Sequence, residues 1–428
     1  MSNISDLIER IGSGAFDERF AQLYSNDKDT ICYQRKRYTQ ALLNFSRLYP
    51  HKTDVFVFSA PGRTEICGNH TDHNNGKTLA AAINLDVIAV AAKNEGSIEV
   101  FSKGFAPDKI NLCDIEYNES EKNTSRALIK GVCSGFEKRG FKFGGFVAYT
   151  TSDVLKGSGI SSSAAFEVLL CTIENYFYNN AGIDTVTVAK VAQYAENKFF
   201  GKPCGLLDQT ASSVGGLMVI DFECADNPKI EKIDFDFNKS GYALCIVNTG
   251  GSHAELTHEY AAIPAEMKSV AGFFGKQTLR ELKREDIREN AKTLREGLGD
   301  RAILRAMHFF DENDRVDSLS KALCENDFSK ALRQIRRSGR SSFMYLQNIY
   351  SSALPTEQGL SLALALSDSI LGYDGAFRVH GGGFGGTIEA FVPKNMLSEY
   401  KKCMDNVFGE GACMVLNIRK LGGTLVIE

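Results

Sequence analysis

The chain has 428 residues, of which 43% are hydrophobic and 24% charged, and its net charge is −4. That is enough sequence for two or three domains with their own cores, and the composition leaves no room for a large disordered part. The weak negative balance gives no electrostatic reason to expect nucleic acid or an anionic membrane as partner, since both are met with excess Lys and Arg.

The opening MSNISDLIERIG lacks the basic start and apolar centre of a signal peptide. No apolar stretch reaches the roughly 20 residues of a membrane span, so the expected location is cytoplasmic. Within the first 50 residues, KRYTQALLNFSRLY (36–49) reads as an amphipathic helix. DVFVFSA (54–60) alternates like a half-buried strand and runs into Pro61-Gly62. The polar run ICGNHTDHNNG (66–76) follows, ahead of the apolar TLAAAINLDVIAVAA (78–92). From 78 to about 150 the pattern predicts mostly strands and turns, most clearly at FGGFVAYTTSDV (143–154). Two helices are predicted next, Ser162 to Tyr178 and Thr185 to Phe200, and then a strand at GGLMVIDFE (215–223). DNPKIEKIDFDFNKSG (226–241) has the turn residues of a domain junction. YALCIVNTG (242–250) opens a second half that is helix-rich from about 255 to 340 and closes with the short strands AFRV and TIEAFVP around a glycine cluster. Eleven cysteines without a C-x-x-C pair, most in apolar surroundings, read as small buried thiols in a reducing compartment.

Three glycine-rich stretches compete as phosphate sites. NNGKT (74–78) ends like a P-loop, but the glycine required five residues before Gly76 is Thr71. GGGFGG (381–386) fits G-x-G-x-x-G, yet a strand-like TIEAFV follows where a dinucleotide fingerprint needs a helix. KGSGISSSAAFEVLL (156–170) is the strongest. Its glycines let backbone approach an anion, its serines donate, and a helix begins at once, so free N–H groups and a positive helix end meet there. Glu196 and Asp208 stand out as carboxylates that such a nucleotide site could use, one on Mg²⁺ and one on the attacking hydroxyl. His70 and His73 make only a weak zinc pattern, with no third or fourth ligand evident.

Five ordered blocks resemble the GHMP small-molecule kinases and, within them, the galactokinases: APGRTEICGNHTDHNNGKTLAAAINLD (60–86), DVLKGSGISSSAAFEV (153–168), AENKFFGKPCGLLDQTAS (195–212), RAMHFFDENDRV (305–316) and FRVHGGGFGGTIEAFVP (377–393). The resemblance implies a two-domain α+β fold. A helical extension (1–50) would precede an N-terminal half (51–235) like domain 2 of ribosomal protein S5, and a ferredoxin-like C-terminal half (236–428) would follow. It implies ATP-dependent phosphorylation of a sugar at its anomeric hydroxyl, most simply galactose, with the sugar as a small-molecule partner and a monomer as the default state. By position, Gly157, Ser158, Gly159, Ile160, Ser161, Ser162 and Ser163 match the family's ATP phosphate loop, and Ser163 with Glu196 its Mg²⁺ ligands. Asp208 matches the residue treated as base, and Arg63 the cation that stabilises it and the transferring group. Asn69, His70, Thr71, Asp72, Gly205 and Tyr260 match the sugar contacts.

Four departures bear on specificity. Asn69 replaces the family's usual Glu, and Glu65 stands where the family generally has Asn. The arginines that commonly follow the sugar-contacting tyrosine are absent from EYAAIPAEMK, and a frequent Ser-His pair appears as Ser338-Gly339. An amide at 69 is compatible with galactose and also with a C6-oxidised or amino sugar such as galacturonate, although no new Lys or Arg in the motif would pair a sugar carboxylate. A sensor without turnover is a third reading. It is disfavoured because Arg63, Ser163, Glu196 and Asp208, which a sensor is free to lose, are all present.

Overall fold

The computed structural model describes residues 4–154, 160–224, 227–250 and 256–428. Among them, the first sheet has eight strands: β1 (Phe56–Cys67), β2 (Lys77–Lys93), β3 (Ser97–Ser102), β4 (Asp108–Asn111), β5 (Phe146–Ser152), β6 (Leu217–Asp221), β7 (Lys229–Ile233) and, from the far end of the chain, β12 (Thr424–Ile427). The remaining strands, β8 (Tyr242–Asn248), β9 (Ala376–Val379), β10 (Thr387–Pro393) and β11 (Cys413–Leu416), form an antiparallel sheet in the order β11-β8-β10-β9. In the first sheet the order is β12-β1-β2-β5-β3-β4. The first residues of the long β2 pair with β6, and its last seven pair with β5.

β1 and β2 are apolar on both faces because both faces are covered. Phe58, Ala60, Ala89, Ala91 and Ala148 point into one core, while their neighbours Val57, Ile88, Val90, Val147 and Tyr149 point into another. That alternation is the period of two of a strand. The first core is closed by α4 (Ser125–Glu137), α5 (Ser162–Asn179) and α6 (Thr185–Tyr194), with α7 (Leu207–Val214) packed beside them. The second is closed by the N-terminal helices α1 (Ile4–Gly12), α2 (Asp17–Leu23) and α3 (Lys28–Leu48). Asp27 caps α3 by accepting from Thr30 N at 2.9 Å, so this helix starts earlier than the 36–49 pattern suggests.

In the second half, α8 (Thr257–Phe273), α9 (Arg284–Glu289), α10 (Ala291–Leu298) and α11 (Asp300–Cys324) share a helical core. α13 (Gly359–Leu371) and α14 (Leu397–Phe408) cover one face of the second sheet. Its other face, through Leu244, Ile246 and Phe391, joins α11 and α12 (Phe328–Ser341) in a core continuous with that of the first sheet. The halves thus meet across packed side chains.

The structure differs from the sequence reading in three places. α4 lies within the stretch read as strands and turns. The expected junction at 226–241 contains β7, hairpinned to β6. The helix expected over 185–200 ends in a π-helical turn at Ala195–Phe200, which leaves Glu196 buried.

Candidate active site

β1 carries Arg63, whose backbone N–H donates to Ile160 O at 3.2 Å, just past the undescribed stretch 155–159. Its Nε donates to Asp208 Oδ1 at 2.6 Å. Asp208 occupies the first turn of α7, and its second oxygen accepts from Ser161 Oγ. Ser161 has a left-handed φ of 59° and immediately precedes α5. Burial pushes the Asp208 carboxyl up, but the Arg63 charge and hydrogen bond, with Ser161 and Lys202, outweigh it and hold the group below the ordinary carboxylate range. The Asp208 side chain stays 28% exposed, so a ligand can reach it.

A second cluster adjoins this one. Ser163 Oγ donates to Glu196 Oε1 at 2.9 Å, and Lys202 Nζ lies 3.2 Å from the same oxygen. Glu196 Oε2 accepts from Gln209 Nε2 at 2.7 Å and from Cys204 Sγ at 3.1 Å. Glu167, farther along α5, shares the Gln209 amide at 3.2 Å. Burial, and then the Glu196 charge, push the Glu167 carboxyl well up and favour its neutral form. Ser163 and Glu196 form a pair of hard oxygen donors with the Lys202 ammonium beside them, which suits an ion that takes few protein oxygens and keeps waters. No cluster of three or more His, Cys, Asp or Glu suited to a metal occurs among the described residues.

At the sugar loop the residues divide. Asp72 has its carboxylate over Gly205, so close that a Cβ there would lie 1.8 Å from Asp72 Oδ2. Only glycine admits that approach, and it brings two of the expected sugar contacts together. His70, Asn69 and Tyr260 each also bond the glycine cluster. Asn69 Nδ2 donates to Gly381 O at 2.6 Å, His70 Nε2 lies 2.9 Å from Gly382 O, and Tyr260 Oη donates to Gly383 O at 2.7 Å. Burial drives the His70 pKa down to about 3, so the neutral ring donates to that carbonyl. Thr71 is fully buried and bonds Gly68 O and Lys77 O, a brace for the loop's own turn. Asn69 is 1% exposed, and its amide is used by Glu65, Gly381 and Asn348, which leaves it no free polar atom for a ligand.

Several residues that support this loop were not singled out from the sequence. Glu312 of α11, fully buried, accepts from Gly68 N at 3.0 Å, Cys67 Sγ, Ser338 Oγ and Arg315 Nε. His308, one turn earlier, has Nε2 2.9 Å from Asn69 O and Nδ1 2.9 Å from Ser341 Oγ. Both lie in the block RAMHFFDENDRV, whose helical spacing was the available signal. Gly339, the departure from the Ser-His pair, lies where α12 crosses β9, with Phe377 O 2.7 Å from any Cβ. Gly157, Ser158 and Gly159 of the expected phosphate loop lie outside the described residues.

The galactokinase galactose-binding signature matches residues 43–93, and the GHMP kinases N terminal domain matches 127–216. A galactokinase from Glaesserella parasuis is 32% identical over 84% of this chain and 90% of its own length. The chain belongs to the galactokinase family. A second member of that family, from Thermotoga petrophila, is 31% identical over 80% of the chain and 91% of its own length. The galactokinase fold is shared with the Lactococcus lactis galactokinase complexed with galactose, at a TM-score of 0.77 and 23% identity, covering 91% of this chain and 99% of that one. Mevalonate kinase from Methanococcus jannaschii shares the wider two-domain GHMP fold at a TM-score of 0.60, covering 85% of this chain and 98% of its own. As a member of this kinase family the protein is a sugar phosphotransferase that uses ATP. No helix among the described residues is long and apolar enough to cross a membrane.

Proposed function

We propose that the protein transfers the γ-phosphoryl group of ATP to the anomeric hydroxyl of galactose, with Asp208 and Arg63 at the reacting centre. The observation that carries this reading is the Arg63–Asp208–Ser161 cluster. It is a carboxylate clamped by a permanent cation and a hydroxyl yet still open to solvent. A carboxylate held below its ordinary range is a weak base at neutral pH. Asp208 therefore orients the sugar hydroxyl by accepting its hydrogen bond, and takes the proton late, once bonding to phosphorus has made that hydroxyl acidic. Arg63 meets the charge that builds on the transferring group, a role for which a planar, always-charged donor is suited.

Gly157 to Ser163 are the proposed phosphate loop, supported by the start of α5 at Ser162. Ser163 and Glu196 would hold Mg²⁺, which when bound neutralises phosphate charge, and Lys202 would then move from Glu196 toward the phosphates. Asp72, His70, Gly205 and Tyr260 are the proposed sugar-side residues. A polar loop without Lys or Arg from 66 to 76 favours a neutral hexose over a uronate, whose carboxylate would enter unpaired.

The test is ADP release with ATP and Mg²⁺ across hexoses, uronic acids and amino sugars. The expected outcome is the highest kcat/KM with galactose. Preference for galacturonate would replace the substrate, and no ADP with any sugar would reject the kinase reading.

A further inference from the structure

Arg63, Thr64 and Glu65 pair in step with Ala82, Ala81 and Ala80 of β2, with no bulge between them. Arg63 and Glu65 therefore leave β1 on the same face, and Thr64 leaves on the other, where it meets Glu389 and His380. The Arg63 side of the strand is the side on which Asp208 waits. Glu65 is thus a second charged group on the reacting face, two residues nearer the polar loop.

Its two oxygens are treated differently. Oε1 accepts from Asn69 Nδ2 at 3.0 Å and lies 3.6 Å from Arg378 Nη2. Oε2 has no hydrogen-bond partner among the described residues, yet it is not among the polar atoms sealed from solvent, and the side chain keeps 8% of its surface exposed. A carboxylate that has lost most of its water but retains an open oxygen gains from a ligand hydroxyl, because O–H···O⁻ bonds to charged acceptors are among the stronger ones. Asn69 fixes where that oxygen points. One amide hydrogen goes to Glu65, the other to Gly381 O, and Oδ1 is held by Asn348 Nδ2 at 2.8 Å. Burial pushes the Glu65 carboxyl up, and the Arg378 and Arg63 charges and the Asn69 hydrogen bond oppose that rise.

We propose that Glu65 is a specificity-determining sugar-binding residue that accepts a hydrogen bond from a ring hydroxyl, and that Asn69 is the positioning residue that holds it in place. The proposal rests on the sugar-kinase reading above and deepens it. The carboxylate that selects a neutral, hydroxylated ring is supplied by β1, while the loop side chain at 69 acts only through it.

The experiment is steady-state kinetics of the full chain with galactose and its 2-, 3-, 4- and 6-deoxy forms, for wild type, Glu65→Gln and Asn69→Ala. Glu65→Gln is expected to raise the sugar KM about 10- to 100-fold, more than it lowers kcat, with the KM for ATP within about threefold. One deoxy sugar should show a comparable penalty in wild type and little further loss in Glu65→Gln, the non-additivity expected of two partners in one contact. Asn69→Ala should raise the sugar KM and blunt the penalty of that same deoxy sugar, whereas a merely structural loss would weaken all sugars and ATP alike. Glu65→Asp keeps the charge facing Arg378 and withdraws the oxygen by one methylene. It is the variant to read if the amide fails to fold, and a raised sugar KM is again expected. An unchanged sugar KM in the folded variant, or deoxy penalties that all add to the substitution, would overturn the proposal. A wild type that releases no ADP with any sugar rejects the kinase reading itself, whereas turnover indifferent to Glu65 rejects only this assignment.

Discussion

Two aspartates on opposite faces of the first sheet are each held by arginine, and they differ in how far the protein fills their lone pairs. Asp86 is fully buried. It takes Arg37 at 2.6 Å, Arg419 at 3.0 Å, Tyr24 Oη at 2.6 Å and Ser59 Oγ. Asp208 takes Arg63 and Ser161 and remains 28% exposed. Burial would raise both carboxyls, and the facing arginines hold both below the ordinary range. A depressed pKa therefore does not tell the functional carboxylate from the structural one. Open coordination does. Asp86 ties the N-terminal helices and the C-terminal segment to β2 and has nothing left to offer a ligand, while Asp208 has an accessible oxygen beside a cation.

That contrast can be broken experimentally. Asp208→Asn should lower kcat about 10³-fold and lower the denaturation midpoint less than Asp86→Ala does, since the amide loses the ion pair but can still accept from Arg63. Loss of folding with retained specific activity would put Asp208 in the structural class. Asp86→Ala should do the reverse. It leaves the buried Arg419 without a carboxylate and Arg37 with Asp153 alone, at a cost of about 3–5 kcal/mol in chemical denaturation, with kcat per folded molecule preserved.

The same distinction marks what the sequence could disclose. Strands covered on both faces, such as β1 and β2, announce themselves by apolar content alone. α4 does not, because Gly131 and Gly135 depress its helical signal. They are there for packing, with Ala195 Cα 2.7 Å from a Cβ on Gly131. The pairing of Arg63 with Asp208 spans 145 residues, so only the family resemblance brought the two together. Nothing local could place Glu312 under Gly68, 244 residues away. The departures at 65 and 69 look independent along the chain. In space they are one hydrogen-bonded pair, which moves attention from Asn69 to Glu65.

Glu389 tests whether filling of lone pairs is the right criterion, because it is as buried as Asp86 but poorly served. Its Oε1 accepts from Thr64 Oγ1 at 2.7 Å, and its Oε2 has no partner among the described residues. Burial pushes its pKa up to about 7, against the lowering effect of Arg378 and Thr64. In the unfolded chain a glutamate titrates near 4.3. The folded protein thus binds the extra proton between those values, so stability is highest below the unfolded pKa and is lost as pH rises through about 7. Glu389→Gln keeps the acceptor for Thr64 and removes the titration. Its stability relative to wild type should climb between pH 5 and 8, by at most about 3 kcal/mol, and level off above that. Denaturation midpoints at unit pH steps measure it. A difference that stays flat across this range would mean that Arg378 keeps Glu389 ionised throughout, and that a single arginine can stand in for a filled set of hydrogen bonds.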